Sequence, residues 1–280
     1  MKTLSEHACY GGTQRFLVHE SRECTAPMRF AVYEPPQARQ GPVPVLYYLA
    51  GLTCTEETFM IKAGAQRLAA LHGIMLVAPD TSPRVRLPGD DASWDFGLAA
   101  GFYVDATQAP WSAHYRMYSY VTRELPAVLA AHFPAADPGR QSVMGHSMGG
   151  HGALVCALRN PGQYRSVSAF APITAPARCP WGRKAFSGYL GANENDWLAF
   201  DASALVAGQP FHRPILIDQG AADSFLAEQL QPALFEAACQ QSGQACELRM
   251  HPGYDHGYYF IQTFMADHLA WHARALTGGA

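Results

Sequence analysis

Four stretches of this chain are apolar runs with little alternation. Residues 43–50, 74–79, 166–171 and 214–219 each hold four or more apolar residues in close succession. That pattern predicts strands buried on both faces, as in the middle of a parallel sheet. Residues 13–20 and 28–33 alternate in part, which predicts two earlier strands, and residues 246–251 read as a late one. Helical spacing follows or precedes these runs at 58–72, 115–132, 224–241 and 257–274. In the second of these, Tyr118, Val121, Leu125, Val128 and Leu129 fall close to one face. Residues 35–42 form a polar, proline-containing loop too short to link two domains. Residues 80–108 are rich in Pro, Gly and Asp and carry no period, and so long an irregular stretch is more often functional than idle. Strands alternating with helices, without an internal repeat or a linker, predict an α/β fold with a mainly parallel central sheet and helices on both faces. The whole of 1–280 is expected to be one domain.

One further apolar lead-in ends differently. Residues 142–150 read Ser-Val-Met-Gly-His-Ser-Met-Gly-Gly, followed by a helix-like run at 151–158. Strand, Gly-x-Ser-x-Gly and helix in that order are the context of a nucleophile elbow. Gly145 and Gly149 then have a steric task, because a Cβ on either side of so tight a turn meets its neighbours. Ser147 would stand at the tip of the turn, with a helix N-terminus directed at the site where negative charge develops. The competing reading is an ordinary glycine-rich turn between a strand and a helix, so the rest of the chain must supply a histidine, an acid and an oxyanion donor.

Composition acts mainly by exclusion. Charged residues make up 15% and hydrophobic ones 49%, which fits a globular enzyme and not a disordered or fibrous chain. A net charge of −3 gives no reason to expect nucleic acid or an anionic membrane as partner. The first residues, Met-Lys-Thr-Leu-Ser-Glu-His, lack the apolar core of a secretory signal, and no stretch reaches the length of a membrane span. Seven cysteines, odd in number and without Cys-x-x-Cys spacing, read as free thiols in a reducing compartment. A soluble cytoplasmic protein is expected.

A serine hydroxyl needs a positioned base, and the base an orienting acid. In this class of fold the order along the chain is nucleophile, acid, histidine. His256 follows the strand at 246–251, lies on the turn-forming run Pro-Gly-Tyr-Asp-His-Gly (252–257) and precedes the last helix; it is preferred to His251 at the strand end. Asp223 lies just past the carboxyl end of the strand at 214–219, where ligand-facing residues of open α/β sheets collect. It is preferred to Asp218 and Asp255, and its competing role is a helix N-cap. The backbone N–H of Met148, after the serine, and that of Leu52, in the loop 50–54, are the candidate oxyanion donors. No glycine-rich phosphate cradle is present, so no cofactor is expected. His268 and His272 stand i,i+4 on a helix, but a solvated helical face is preferred to a metal site, and no metal is expected.

Six motifs in order carry a resemblance to a known family: Leu-Ala-Gly-Leu-Thr-Cys (49–54), Lys-Ala-Gly-Ala-Gln-Arg (62–67), Ala-Pro-Asp-Thr-Ser-Pro-Arg (78–84), Gly-Phe-Tyr-Val-Asp-Ala-Thr (101–107), residues 145–158 and residues 252–260. Together they resemble the S-formylglutathione hydrolases, of the esterase D family, from about Arg15 to His272. The resemblance implies an α/β-hydrolase fold and hydrolysis of S-formylglutathione to glutathione and formate, the thioester step of formaldehyde detoxification. It implies Ser147, Asp223 and His256 as the catalytic triad, Leu52 and Met148 as backbone oxyanion donors, and a homodimer. It also implies that Cys54 lies near the site without being the nucleophile; on the residues alone, a buried structural cysteine reads equally well. Trp181 is a candidate for the acyl pocket, with core packing as its competing role. The chain departs from the family pattern at Ala50 and Gly257, where serine is usual, and at 85–91. The alternatives are a general short-chain carboxylesterase with the same triad and an inactive hydrolase fold that only binds.

Overall fold

The partly alternating N-terminal segment supplies an antiparallel ribbon, and the apolar runs supply the centre of the sheet. In the computed structural model, which describes residues 1–90 and 92–278, the chain opens with β1 (Lys2–Cys9), β2 (Gly12–Ser21) and β3 (Ala26–Glu34). β4 (Val43–Leu49) leads to α1 (Glu56–Lys62), α2 (Ala65–His72) and β5 (Met75–Pro79). After the irregular stretch come α3 (Met117–Ser119), a π turn (Tyr120–Glu124) and α4 (Leu125–His132). β6 (Ala136–His146) runs into α5 (Met148–Arg159), followed by β7 (Val167–Phe170), α6 (Pro180–Leu190), α7 (Glu194–Trp197) and α8 (Ala202–Gly208). β8 (Ile215–Gly220), α9 (Pro232–Ser242), β9 (Cys246–His251) and α10 (Tyr258–Thr277) complete the chain.

All nine strands form one sheet in the order β1-β2-β3-β5-β4-β6-β7-β8-β9. The first three strands and the β3–β5 pair are antiparallel, and from β5 to β9 the sheet is parallel. Every residue of β4, β5, β7 and β8 is buried, as their unbroken apolar runs predict, whereas β1 at the sheet edge is largely exposed. This is the α/β-hydrolase arrangement. Register matters most for the site: Leu49 pairs with Gly145, His146 with Phe170, Phe170 with Asp218 and Gly220 with His251. The carboxyl ends of β4, β6, β8 and β9 are thereby brought level, and their following loops share one rim.

Three expectations need correction. The helix at 58–72 is two helices, because Gly64 adopts a left-handed φ of +64° between α1 and α2. The helix at 224–241 is also divided. Gln231, at φ +47°, ends a π turn, and Pro232 starts α9, since proline has no N–H to continue the earlier bonding. His268 and His272 do not lie on a solvated face. Both are fully buried on the inner side of α10, where His272 meets the hydroxyls of Ser166 and Ser168 at 2.8 Å each. The edge strand β1 and helices α6 to α8 had no pattern strong enough to mark them. Within 85–91, Asp91 lies outside the described residues; Leu87 N–H donates to Asp90 at 2.8 Å, closing a small turn.

Candidate active site

The turn between β6 and α5 holds Ser147 at φ 58°, ψ −120°, a conformation that costs a non-glycine residue on the order of 1–3 kcal/mol. Three backbone hydrogen bonds fix it: Ser147 N–H donates to the Phe170 carbonyl at 3.0 Å, and its own carbonyl accepts from His151 (3.0 Å) and Ile173 (3.2 Å). The glycines act as expected. A Cβ on Gly145 would stand 2.1 Å from the Gly149 carbonyl oxygen, and one on Gly149 would stand 1.9 Å from that of Leu49. Only bare backbone lets α5 start this close to the ends of β4 and β6.

Asp223 sits on the loop after β8 and His256 on the loop after β9. Their side chains meet, His256 Nδ1 lying 2.6 Å from Asp223 Oδ2. The competing N-cap role is not found as such: the π turn that follows starts at Leu226, with Phe225 at its cap position and no side-chain cap. Asp223 Oδ1 accepts from the N–H of Phe225 at 2.9 Å, while Oδ2 takes the histidine and, at 3.3 Å, the Gln219 amide. The carboxylate is thus oriented from three directions. His251 and Asp218 are drawn elsewhere: Asp218, fully buried, binds Arg249 through both oxygens at 2.5 and 2.6 Å and has His251 at 3.2 Å. Burial pushes the Asp218 carboxyl up, but contacts with His268 and Arg249 overcome this and hold it well below the usual carboxylate range. Asp255 is exposed and accepts from Gly257 N–H at 2.8 Å. That bond stands at the start of α10, which has no side-chain cap at Gly257.

Leu52 borders the cavity beside Ser147 from the loop after β4, and Met148 is the first residue of α5. Among the described residues neither N–H has a hydrogen-bond partner, so both are free to donate. The Leu52 loop is held from below by the irregular segment 80–108. Thr53, at φ 68°, donates its N–H to Ala99 at 3.0 Å, and the Cys54 carbonyl accepts from Thr81 Oγ1 (2.7 Å) and Arg84 Nη2 (3.1 Å). Arg84 is itself clamped by both oxygens of the buried Asp80, at 2.5 and 2.8 Å. The Ala50 carbonyl accepts from Tyr103 Oη at 2.9 Å.

These parts enclose a cavity of about 280 Å³ lined by Gly51, Leu52, Thr53, Cys54, Trp94, His146, Ser147, Trp181, Phe225 and His256. Trp94 meets Trp181 edge-on at 5.1 Å, Trp181 lies 4.7 Å from Phe225, and Phe225 lies 5.1 Å from the His256 ring. Trp181 lines the cavity while only 8% exposed. Cys54 also borders the cavity; burial pushes its thiol up, so it is a poor thiolate, although hydrogen bonds from Thr58 and Tyr258 oppose the effect. Sequence reasoning passed over His146, Trp94 and Phe225. His146 is buried, its ring 4.5 Å from that of His256, and neither of its nitrogens has a hydrogen-bond partner among the described residues. Burial, followed by the neighbouring His256, holds His146 well below the ordinary histidine range, so it stays neutral. Its place inside the elbow motif was the available signal. Trp94 and Phe225 had none beyond lying near the motifs.

The Esterase family model matches residues 21–273. S-formylglutathione hydrolase of Mus musculus is 56% identical over 279 residues, covering 99% of both chains, and that of Rattus norvegicus is 54% identical over 281 residues with the same coverage. A solved S-formylglutathione hydrolase from Agrobacterium tumefaciens superposes with a TM-score of 0.96 at 51% identity, covering 99% of this chain and all of the other. With this fold, this rim of loops and relatives of that similarity over its full length, the chain belongs to the S-formylglutathione hydrolase family of serine esterases.

Proposed function

We propose that this chain hydrolyses S-formylglutathione to glutathione and formate, with Ser147 as nucleophile, His256 as general base and acid, and Asp223 as the group that orients it. The observation that carries this reading is the 2.6 Å contact of His256 with Asp223 on the wall of the cavity that Ser147 borders. His256 takes the proton of Ser147 as the hydroxyl attacks the formyl carbonyl, and Asp223 stabilises the imidazolium that forms. The N–H groups of Leu52 and Met148 receive the oxyanion. Glutathione leaves as thiol or thiolate; being a good leaving group, it needs less help from the acid than an amine would. Water activated by His256 then releases formate and restores Ser147.

The cavity supports a small acyl group. At about 280 Å³ it is below the usual range for drug-sized ligands, and Trp94, Trp181 and Phe225 crowd its wall. The general carboxylesterase is the second reading, and acyl-chain length separates the two. Rates are measured with S-formylglutathione, followed by loss of thioester absorbance, and with p-nitrophenyl acetate and butyrate. The expected outcome is strong preference for the formyl thioester, loss by about four orders of magnitude or more in Ser147→Ala, and an unchanged circular dichroism spectrum in that variant. Equal or better turnover of butyrate would move the protein to the general esterase reading, and full activity in Ser147→Ala would remove the nucleophile.

The same reading takes the chain as one domain acting as a homodimer in the cytoplasm, in the disposal of formaldehyde as formate. Its single sheet and contiguous core support the first, its seven unpaired cysteines a reducing compartment, and its family the rest.

A further inference from the structure

The cavity around Ser147 is lined by neutral residues apart from whatever charge His256 carries, yet the leaving group proposed above bears two carboxylates. Those carboxylates lie one to two residue lengths from the thioester sulfur, roughly 7 Å away when extended, beyond the cavity and on its rim. The cations on the Trp181 side of the rim are already held: Arg183 pairs with Glu194 and Lys184 with Asp95, each at 2.6 Å. Arg84 is clamped by Asp80. Lys62 is different. It is the last residue of α1, the helix that begins just after the oxyanion loop, and it is exposed. Its Nζ stands 5.7 Å from the ring centroid of Tyr258, and that ring lies 6.1 Å from His146, the residue before Ser147. Among the described residues no carboxylate lies within ion-pairing distance of Lys62. Its charge nonetheless reaches the cavity, since it favours the thiolate of Cys54.

We propose that Lys62, seated over Tyr258 at the rim of the cavity, is a specificity-determining residue that holds a carboxylate of the glutathione moiety. The inference rests on the functional reading above and deepens it. The Tyr258 ring gives the ammonium a cation–π partner that leaves its charge unneutralised. Because the site is exposed to solvent, its worth is that of a screened ion pair, at most about 1 kcal/mol, or roughly fivefold in affinity.

The test compares kcat and KM of the wild type, Lys62→Ala, Lys62→Glu and Lys62→Arg on S-formylglutathione and on uncharged p-nitrophenyl acetate. The ratio of kcat/KM between thioester and ester is expected to fall about fivefold in Lys62→Ala and roughly tenfold or more in Lys62→Glu, where attraction becomes repulsion. The loss should fall in KM, and Lys62→Arg should keep the ratio within about twofold of the wild type. Added salt should lower the wild-type ratio toward that of Lys62→Ala. An unchanged ratio in both Ala and Glu variants overturns the proposal, as does a parallel decline on both substrates, which would mark Lys62 as structural. A wild type that cleaves the ester but not the thioester would instead overturn the functional reading, and the anchor with it.

Discussion

Glu56, the first residue of α1, is 2% exposed, and its nearest cation, Arg29, is 4.0 Å away. Burial, followed by repulsion from Asp80, pushes its carboxyl up to about 7. Its unfolded value lies near 4.5, so between about 4.5 and 7 the folded chain holds a proton that the unfolded chain has lost. This contribution to stability is complete below 4.5 and disappears as pH rises through 7. Glu56→Gln is therefore expected to be more stable than the wild type at pH 8, by on the order of 1–2 kcal/mol. The gain should shrink toward pH 5 in paired melting curves, and a gain that grows on acidification would contradict the assignment. No sequence pattern announces such a residue; Glu56 lies outside the helix expected at 58–72, and the packing of α1 on β3 and β5 buries it. The candidate catalytic residues are the opposite case. Ser147, Asp223 and His256 could be singled out because motif and chain order restrict them, and the structure brings Asp223 and His256 into contact at 2.6 Å.

Elements were legible to the extent that one face differed from the other. The buried strands β4, β5 and β8 stood out, whereas the mid-helix breaks at Gly64 and Gln231 depend on local φ values that a periodic pattern does not encode. α10 shows how polarity misleads: His268 and His272 looked solvated, but Ser168 on β7 and Ser166 just before it offer them hydroxyls. Ser142 meets Ser166 at 2.7 Å, Ser166 and Ser168 flank His272, and Ser168 also meets His268 at 2.8 Å. Burial lowers both imidazoles, at His268 against the Asp218 carboxylate 3.4 Å away, whereas at His272 the neighbouring His268 adds to the effect and the ring stays neutral. The unfolded chain takes up a proton on His272 below about pH 6.5 while the folded chain does not, so this group lowers stability as pH falls through that range. Asp218, with its depressed carboxyl, adds acid sensitivity only below about pH 4, and Glu56 acts in the opposite direction. His272→Gln, which can still bond to both serines, should flatten the decline of melting temperature between pH 7 and pH 5 relative to the wild type. An identical slope in the two proteins would place the titration elsewhere.

Across the whole molecule, the site has no local existence. Leu52 follows β4, Ser147 follows β6, Asp223 follows β8 and His256 follows β9, and the loop bearing Leu52 is braced by Thr81, Arg84 and Ala99 from the irregular segment. Correct relative placement depends on the register of the parallel strands across the sheet, and α10 at the end of the chain packs on β4, β6, β7 and β8. The core is one contiguous cluster running from Phe16 to Leu276. Its central strands expose almost nothing, so no subset of them has a second surface on which to fold alone. Under heat or denaturant, loss of hydrolytic activity, of far-ultraviolet circular dichroism and of tryptophan fluorescence should therefore share one midpoint, with a single calorimetric transition. Five tryptophans make the fluorescence probe a sensitive one, and Trp94 and Trp181 report from the cavity itself. Two resolved transitions would show that the chain is more than one cooperative unit. If activity and the tryptophan signal fell before the circular dichroism, the rim loops would be melting on an intact sheet, and the bonds of Cys54 to Thr81 and Arg84 would be the first place to strengthen.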